Sequence, residues 1–226
     1  MTLFLVLGAV AVSVFGLPHS TSAYTPDPLE AGIDSIYRSV SFETDEKLDF
    51  ELFHRALTGY YRLKDDHALS DKEIITVIDF RKPSSQRRLW VIDLSTGEVK
   101  FHSLVAHGRN SGGLYATRFS NRINSYQSSL GFYITGKTYH GKHGLSLKLH
   151  GIEQGINDQA ETRAIVMHGA EYASEAFIAR AGRLGRSLGC PAIPVEIHES
   201  LIKEVAEGTC LFIYYPDEPA GGTKSI

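Results

Sequence analysis

A mainly β domain with helices packed on it, an α+β arrangement, is the fold class this sequence predicts. Ahead of residue 72, apolar residues recur at helical spacing, whereas from Glu73 onward short β-branched and aromatic runs alternate with turn residues. The length of 226 residues fits one domain with an appendage rather than two full domains.

Residues 1–23, MTLFLVLGAVAVSVFGLPHSTSA, hold an apolar run from Leu3 to Leu17 that is short for a membrane span, which needs about 20 residues. Thr21 and Ala23 fit the small-x-small pattern of signal-peptidase cleavage, so a secretory signal cut before Tyr24 is expected. An N-terminal anchor is the alternative, because no Lys or Arg follows Met1. No later stretch is apolar for long enough to span a bilayer. The expectation is a protein exported to the periplasm or cell envelope without stable membrane insertion.

A helical segment is expected over 24–72. Within DEKLDFELFHRALTGYYRL, Leu48, Leu52, Ala56 and Tyr60 stand four apart with Phe53 and Leu57 beside them, and Asp45 and Glu46 sit where a helix dipole favours negative charge. A shorter helical pattern around Ile33, Ile36 and Val40 precedes it. The β domain is expected over 73–216, followed by a tail at 217–226. IITVIDF reads as a strand, and RLWVIDLSTGEVKFHSLVAHG as two strands joined at Ser95-Thr96-Gly97-Glu98. LGFYITGKTYHGKHGLSLKL reads as a second hairpin with its tip near Gly141 and Gly144. RAIVMHG is a strand ending at His168, TCLFIYY a closing strand, and SEAFIARAG and VEIHESLIKEVAEG are helices between them, the second stopped by Gly208.

The net charge of −3 gives no reason to expect a nucleic-acid partner. Cys190 and Cys210, the chain's two cysteines, are too few for a disulfide scaffold and form no zinc-ribbon spacing, although one bridge between them stays open in an oxidising compartment. Cys190 sits in GRSLGCPAIP, after Gly182, Gly185 and Gly189 and before Pro191 and Pro194. Gly189 has no side chain to keep a substrate carbonyl from the backbone N–H groups there. A thiol must ionise to attack, and a nearby cation or histidine base assists it. Arg183 and Arg186 are close in sequence, Arg183 equally readable as a helix cap. His168, 22 positions before Cys190, ends a strand and is followed by Gly169. His140 and His143 suggest zinc with His168 as third ligand, but Gly141 between them argues against the helical spacing of such sites. Tyr115, Tyr133, Arg109 and Asn110 are further groove candidates.

MHGA…GRSLGCPA resembles the signature of bacterial L,D-transpeptidases, the YkuD-like family: histidine-glycine, a variable gap, then serine-x-glycine-cysteine. LWVIDLSTGEVKFHSLVAHGRNSGG and SYQSSLGFYITG extend the likeness over roughly residues 73–216. Leu188, Pro191 and Ala192 depart from the commoner pattern and resemble a subgroup with S-x-G-C-P-A. The resemblance implies a β-sandwich or barrel-like catalytic domain. It makes Cys190 the nucleophile, His168 the base, Gly169 the carbonyl that orients the imidazole, and the amides around Gly189 and Cys190 the oxyanion hole. Arg186, Ser187, His143 and Tyr133 become expected substrate contacts, with Arg186 replacing the basic residue missing after the cysteine. The implied reaction cleaves the diamino acid–D-alanine bond of a peptidoglycan stem peptide through a thioester, passing the acyl group to an amine, or to water in an L,D-carboxypeptidase. It needs no metal or organic cofactor, and a carbapenem adduct at the nucleophile is expected. An inactive wall-binding domain and a zinc-dependent wall hydrolase are the readings of other classes.

Overall fold

The computed structural model describes residues 28–42 and 46–216; the expected signal, Asp45 and the 217–226 tail lie outside them. Helices α1 (Pro28–Ser39) and α2 (Phe50–Asp65) come first. The acidic pair at 45–46 does not open α2. Asp49 caps it, its carboxylate accepting the Leu52 N–H at 3.1 Å, and Leu48 is left outside the helix as a fully buried anchor. From Leu52 the four-residue spacing does produce one buried face, with Phe53, Ala56, Leu57, Tyr60 and Leu63.

The strands are β1 (Ile74–Asp79), β2 (Leu89–Asp93), β3 (Glu98–Ser103), β4 (Gly131–Gly141), β5 (Gly144–Gly151), β6 (Val166–Gly169), β7 (Ala192–Ile193) and β8 (Cys210–Tyr214), with helices α3 (Glu175–Ala181) and α4 (His198–Val205) flanking β7. They form one eight-stranded sheet in the order β3-β2-β1-β8-β4-β5-β6-β7. Ala106, just past β3, forms an antiparallel bridge to Ala192 of β7, so the two ends of the sheet meet and the sheet is nearly closed into a barrel. Helix α4 ends at Val205 rather than at Gly208, and the Gly208 N–H instead bonds the Thr135 carbonyl of β4 at 2.7 Å.

Strand alternation sorts the core into two layers. Ile74 and Ile78 of β1 and Leu211 and Ile213 of β8 face inward with Leu145, Leu147, Met167 and the buried side of α4. Ile75, Val77, Cys210 and Phe212 face the other way and are covered by α1 and α2. Cys210 therefore lies on the helix side of the sheet, whereas Cys190 packs against the inner core, and both are free thiols. The Cys190–Cys210 bridge left open by the sequence is not made: the sheet stands between the two sulfurs.

Candidate active site

Strand pairing brings His168 and the Cys190 loop together. His168 lies beside Ser146 of β5 on one side and Ala192 of β7 on the other, and its N–H bonds the Pro191 carbonyl at 3.4 Å. Cys190 stands two residues before Ala192, so the pairing of β6 with β7 carries its loop to the His168 end of the sheet across 22 positions of sequence. Cys190 and His168 line one cavity of about 430 Å3 together with Tyr139, Lys142, His143, Arg163, Tyr172 and Arg186.

The imidazole is fixed from behind. His168 Nδ1 lies 2.9 Å from the Gly169 carbonyl. A carbonyl oxygen only accepts, so Nδ1 carries the proton and Nε2 of the neutral ring is the free base. Gly169 is also a close approach: a Cβ there would come 2.7 Å from Cγ of His198 at the start of α4. Burial, assisted by His143, Lys142 and His198, holds His168 below the usual histidine value and outweighs the Gly169 bond. The ring is neutral near pH 7. His143, on the β4–β5 turn, stacks on it with centroids 4.3 Å apart.

The cysteine loop is braced by its own side chains. Ser187 Oγ donates to the Cys190 carbonyl at 2.6 Å and accepts the Gly189 N–H at 3.0 Å. The Gly189 amide, an expected oxyanion donor, is thus already used. No oxygen among the described residues accepts the Cys190 amide. Ser128 Oγ donates to the Gly189 carbonyl at 3.1 Å, and in a trans peptide this aims the following N–H, that of Cys190, the opposite way. Gly189 has φ +128°, and a Cβ on it would meet the Gln127 carbonyl at 2.9 Å.

Cys190 as a residue is partly exposed, yet its sulfur has close neighbours on most sides, and burial pushes the thiol above its usual value. The Val166 N–H, Arg163 and Lys142 oppose that push. The thiol donates to the Ala164 carbonyl at 3.7 Å. The resting pair is therefore a neutral thiol beside a neutral imidazole. Three cationic side chains, Lys142, Arg163 and Arg186, line the cavity, and among the described residues no Asp or Glu does.

The L,D-transpeptidase catalytic-domain model matches residues 44–214, about three-quarters of the chain. This chain belongs to that family. Among solved structures, an L,D-transpeptidase from Mycobacterium smegmatis is similar at 12% identity, covering 64% of this chain and 59% of its own, with a TM-score of 0.40. LdtMt1 in complex with imipenem is similar at 12% identity, covering 63% and 59%, with a TM-score of 0.39. An L,D-transpeptidase from Stackebrandtia nassauensis is similar at 14% identity, covering 83% and 78%, with a TM-score of 0.38. The chain thus spans 59% of the length of each of the first two. No curated protein sequence matches it. Membership rests on the sequence match, not on these low-scoring likenesses.

The structure sorts the other expected contacts of this L,D-transpeptidase family member. His143 and Arg186 line the cavity, Arg186 with Nη1 tied to the Arg109 and Gly112 carbonyls at 3.2 and 3.0 Å. Ser187 also lines it, but it is buried and its hydroxyl is committed within the loop, which makes it a brace rather than a substrate contact. Tyr133 is not in the cavity: it is fully buried in the inner core, its hydroxyl donating to Ser129. Arg183 does not line it either, and donates to the Leu184 carbonyl. Among the described residues no three His, Cys, Asp or Glu groups converge as a metal-ligand set, and the face-to-face stacking of His143 on His168 differs from chelation. Arg163, Lys142 and Tyr172 line the cavity although the sequence does not single them out, and His198 packs behind Gly169 without lining it. Arg163 and Tyr172 are marked in the sequence only by being basic or aromatic within five residues of His168, and Lys142 only by adjoining His143.

Proposed function

We propose that the chain is a peptidoglycan L,D-transpeptidase in which Cys190 is the nucleophile and His168 the general base. One observation carries this: the Gly169 carbonyl fixes the proton on Nδ1 of a neutral His168, leaving Nε2 as a base in the cavity that Cys190 lines. The cavity's charged side chains, Lys142, Arg163 and Arg186, are all cations, which suits a donor peptide ending in a carboxylate, as a D-alanine-terminated stem does. Export to the cell envelope, where such stems occur, is part of the same proposal.

As the sulfur attacks the amide carbonyl between the L-centre of the diamino acid and D-alanine, His168 Nε2 takes the thiol proton. The carbonyl oxygen becomes an oxyanion facing the Cys190 N–H; a donor of this kind contributes about 3 kcal/mol in comparable sites. Collapse breaks the C–N bond, the imidazolium returns its proton to the departing amine, and D-alanine leaves a thioester behind. An acceptor amine, deprotonated by His168, then attacks the thioester, and the thiol is restored. If water attacks instead, the product is a shortened stem.

The test is incubation of the purified protein with disaccharide-tetrapeptide. D-alanine release with a cross-linked dimer is expected, and both should vanish in Cys190→Ala. Release persisting in Cys190→Ala overturns the nucleophile. Binding to sacculi with no release from wild type would point to a wall-binding domain.

A further inference from the structure

We propose that Arg163 is a positioning residue of this site: it clamps the 120–129 loop against Gly189 and supplies the cation beside which the Cys190 sulfur becomes an anion. The proposal rests on the reading of Cys190 as nucleophile and adds the residue that makes its charge affordable.

The guanidinium reaches four acceptors on a single segment. Nη1 donates to the Ser120 carbonyl at 2.7 Å and to Ser129 Oγ at 2.6 Å; Nη2 donates to Ser125 Oγ at 3.2 Å and to the Gln127 carbonyl. All four partners are neutral, so this half-buried cation has no carboxylate among its hydrogen-bond partners. A partly desolvated cation without a counter-charge favours an anion arriving nearby. Its Nη2 would lie 3.3 Å from a Cβ built on Gly189, which places the charge under the peptide that leads into Cys190. The same segment carries Gln127 and Ser128, whose carbonyl and hydroxyl pack on and bond to Gly189. Clamping it therefore also fixes the direction of the Cys190 amide.

The chain around Arg163 shows why a cation is needed there. The next residue, Ala164, has φ +53°, a conformation costing a non-glycine residue about 1 kcal/mol or more, and its carbonyl accepts the Cys190 thiol proton. Once that proton leaves for His168, the carbonyl dipole faces a bare thiolate and repels it. Arg163 offsets that repulsion from the adjacent residue. The other charged or titratable groups around the cavity are Tyr139 on β4, Lys142 and His143 on the β4–β5 turn, His168 on β6, Tyr172 after β6, and Cys190 itself with Arg186 before it, with His198 of α4 behind. Lys142 and His143 are exposed and screened by solvent. Arg163 is held in place by its four bonds.

The test is the rate of iodoacetamide alkylation of Cys190 against pH in the full chain, with peptide mass spectrometry separating it from Cys210. An opposite charge at close range shifts a pKa by about 1–3 units, so Arg163→Gln is expected to raise the midpoint by about one unit or more. That slows alkylation about tenfold below the midpoint while leaving the high-pH plateau unchanged. Arg163→Lys, which keeps the charge but not the four-bond fork, is expected to stay within about half a unit of wild type. An Arg163→Gln midpoint equal to wild type, or a changed plateau alone, overturns the proposal. If Arg163→Gln does not fold, Arg163→Lys decides: a midpoint near wild type supports the charge role, and a rise of about one unit overturns it. Failure of the underlying nucleophile reading looks different, because D-alanine release would then survive Cys190→Ala whatever Arg163 does.

Discussion

Replacing Ser187 by alanine separates a loop brace from a substrate contact. The hydroxyl makes two bonds, to the Cys190 carbonyl at 2.6 Å and from the Gly189 N–H at 3.0 Å, and the residue is 5% exposed. Removing it leaves the buried Gly189 N–H without an acceptor, which costs about 1–3 kcal/mol, and forfeits a second bond of about 1 kcal/mol. Ser187→Ala is therefore expected to lower the unfolding free energy by about 2–4 kcal/mol, read as a drop in the urea midpoint at unchanged slope. With Cys190 no longer held, kcat should fall about tenfold or more while KM changes little. Ser187→Thr, which keeps the hydroxyl, should recover most of the stability. A variant as stable as wild type with a raised KM would refute the brace and restore Ser187 as a substrate contact.

Gly169→Ala places a methyl group 2.7 Å from His198 Cγ and should destabilise by about 1–3 kcal/mol and slow acyl transfer. Adding His198→Ala should restore much of the stability in a thermal melt, and no restoration would remove the steric explanation. Acid should destabilise the protein through His107, whose burial, with Arg88 beside it, holds its pKa down to about 3 from 6.5. A folded value below the unfolded one means stability is fully present above pH 6.5 and is lost as pH falls toward 3, by up to about 5 kcal/mol. His107→Gln should flatten urea midpoints across that window, and an unchanged slope would contradict the assignment. Cys210→Ala should retain D-alanine release at a stability loss of about 1 kcal/mol, whereas Cys190→Ala should lose release entirely. Equal loss in both would contradict their separation by the sheet.

Local patterns were the legible part of the fold. The runs at 74–80 and 89–103 and the hairpin around Gly141 and Gly144 are long enough for alternation and turn residues to mark them. Sheet order was not legible, because the parallel pairing of β1 with β8 joins segments more than a hundred residues apart. Two-residue β7 is too short to carry a period, although it sets His168 beside the cysteine loop. At the site, the histidine-glycine and serine-x-glycine-cysteine motifs drew attention to His168 and Cys190. The sequence does not show that Tyr133 turns into the inner core, because Phe132 and Ile134 on the opposite face of β4 are apolar too. Nor does it show that the Gly189 amide is taken by Ser187, because that bond is a matter of loop conformation. Arg163 lies in a turn ahead of β6, where nothing but the folded 120–129 segment reveals what it holds.

The most direct measurement is intact-protein mass spectrometry of the reduced protein after exposure to a carbapenem, followed by peptide mapping. A single covalent adduct on the peptide containing Cys190, absent in Cys190→Ala and slowed in a His168 variant, is the expected result. An unmodified protein, or an adduct on Cys210 instead, would contradict acyl transfer through Cys190.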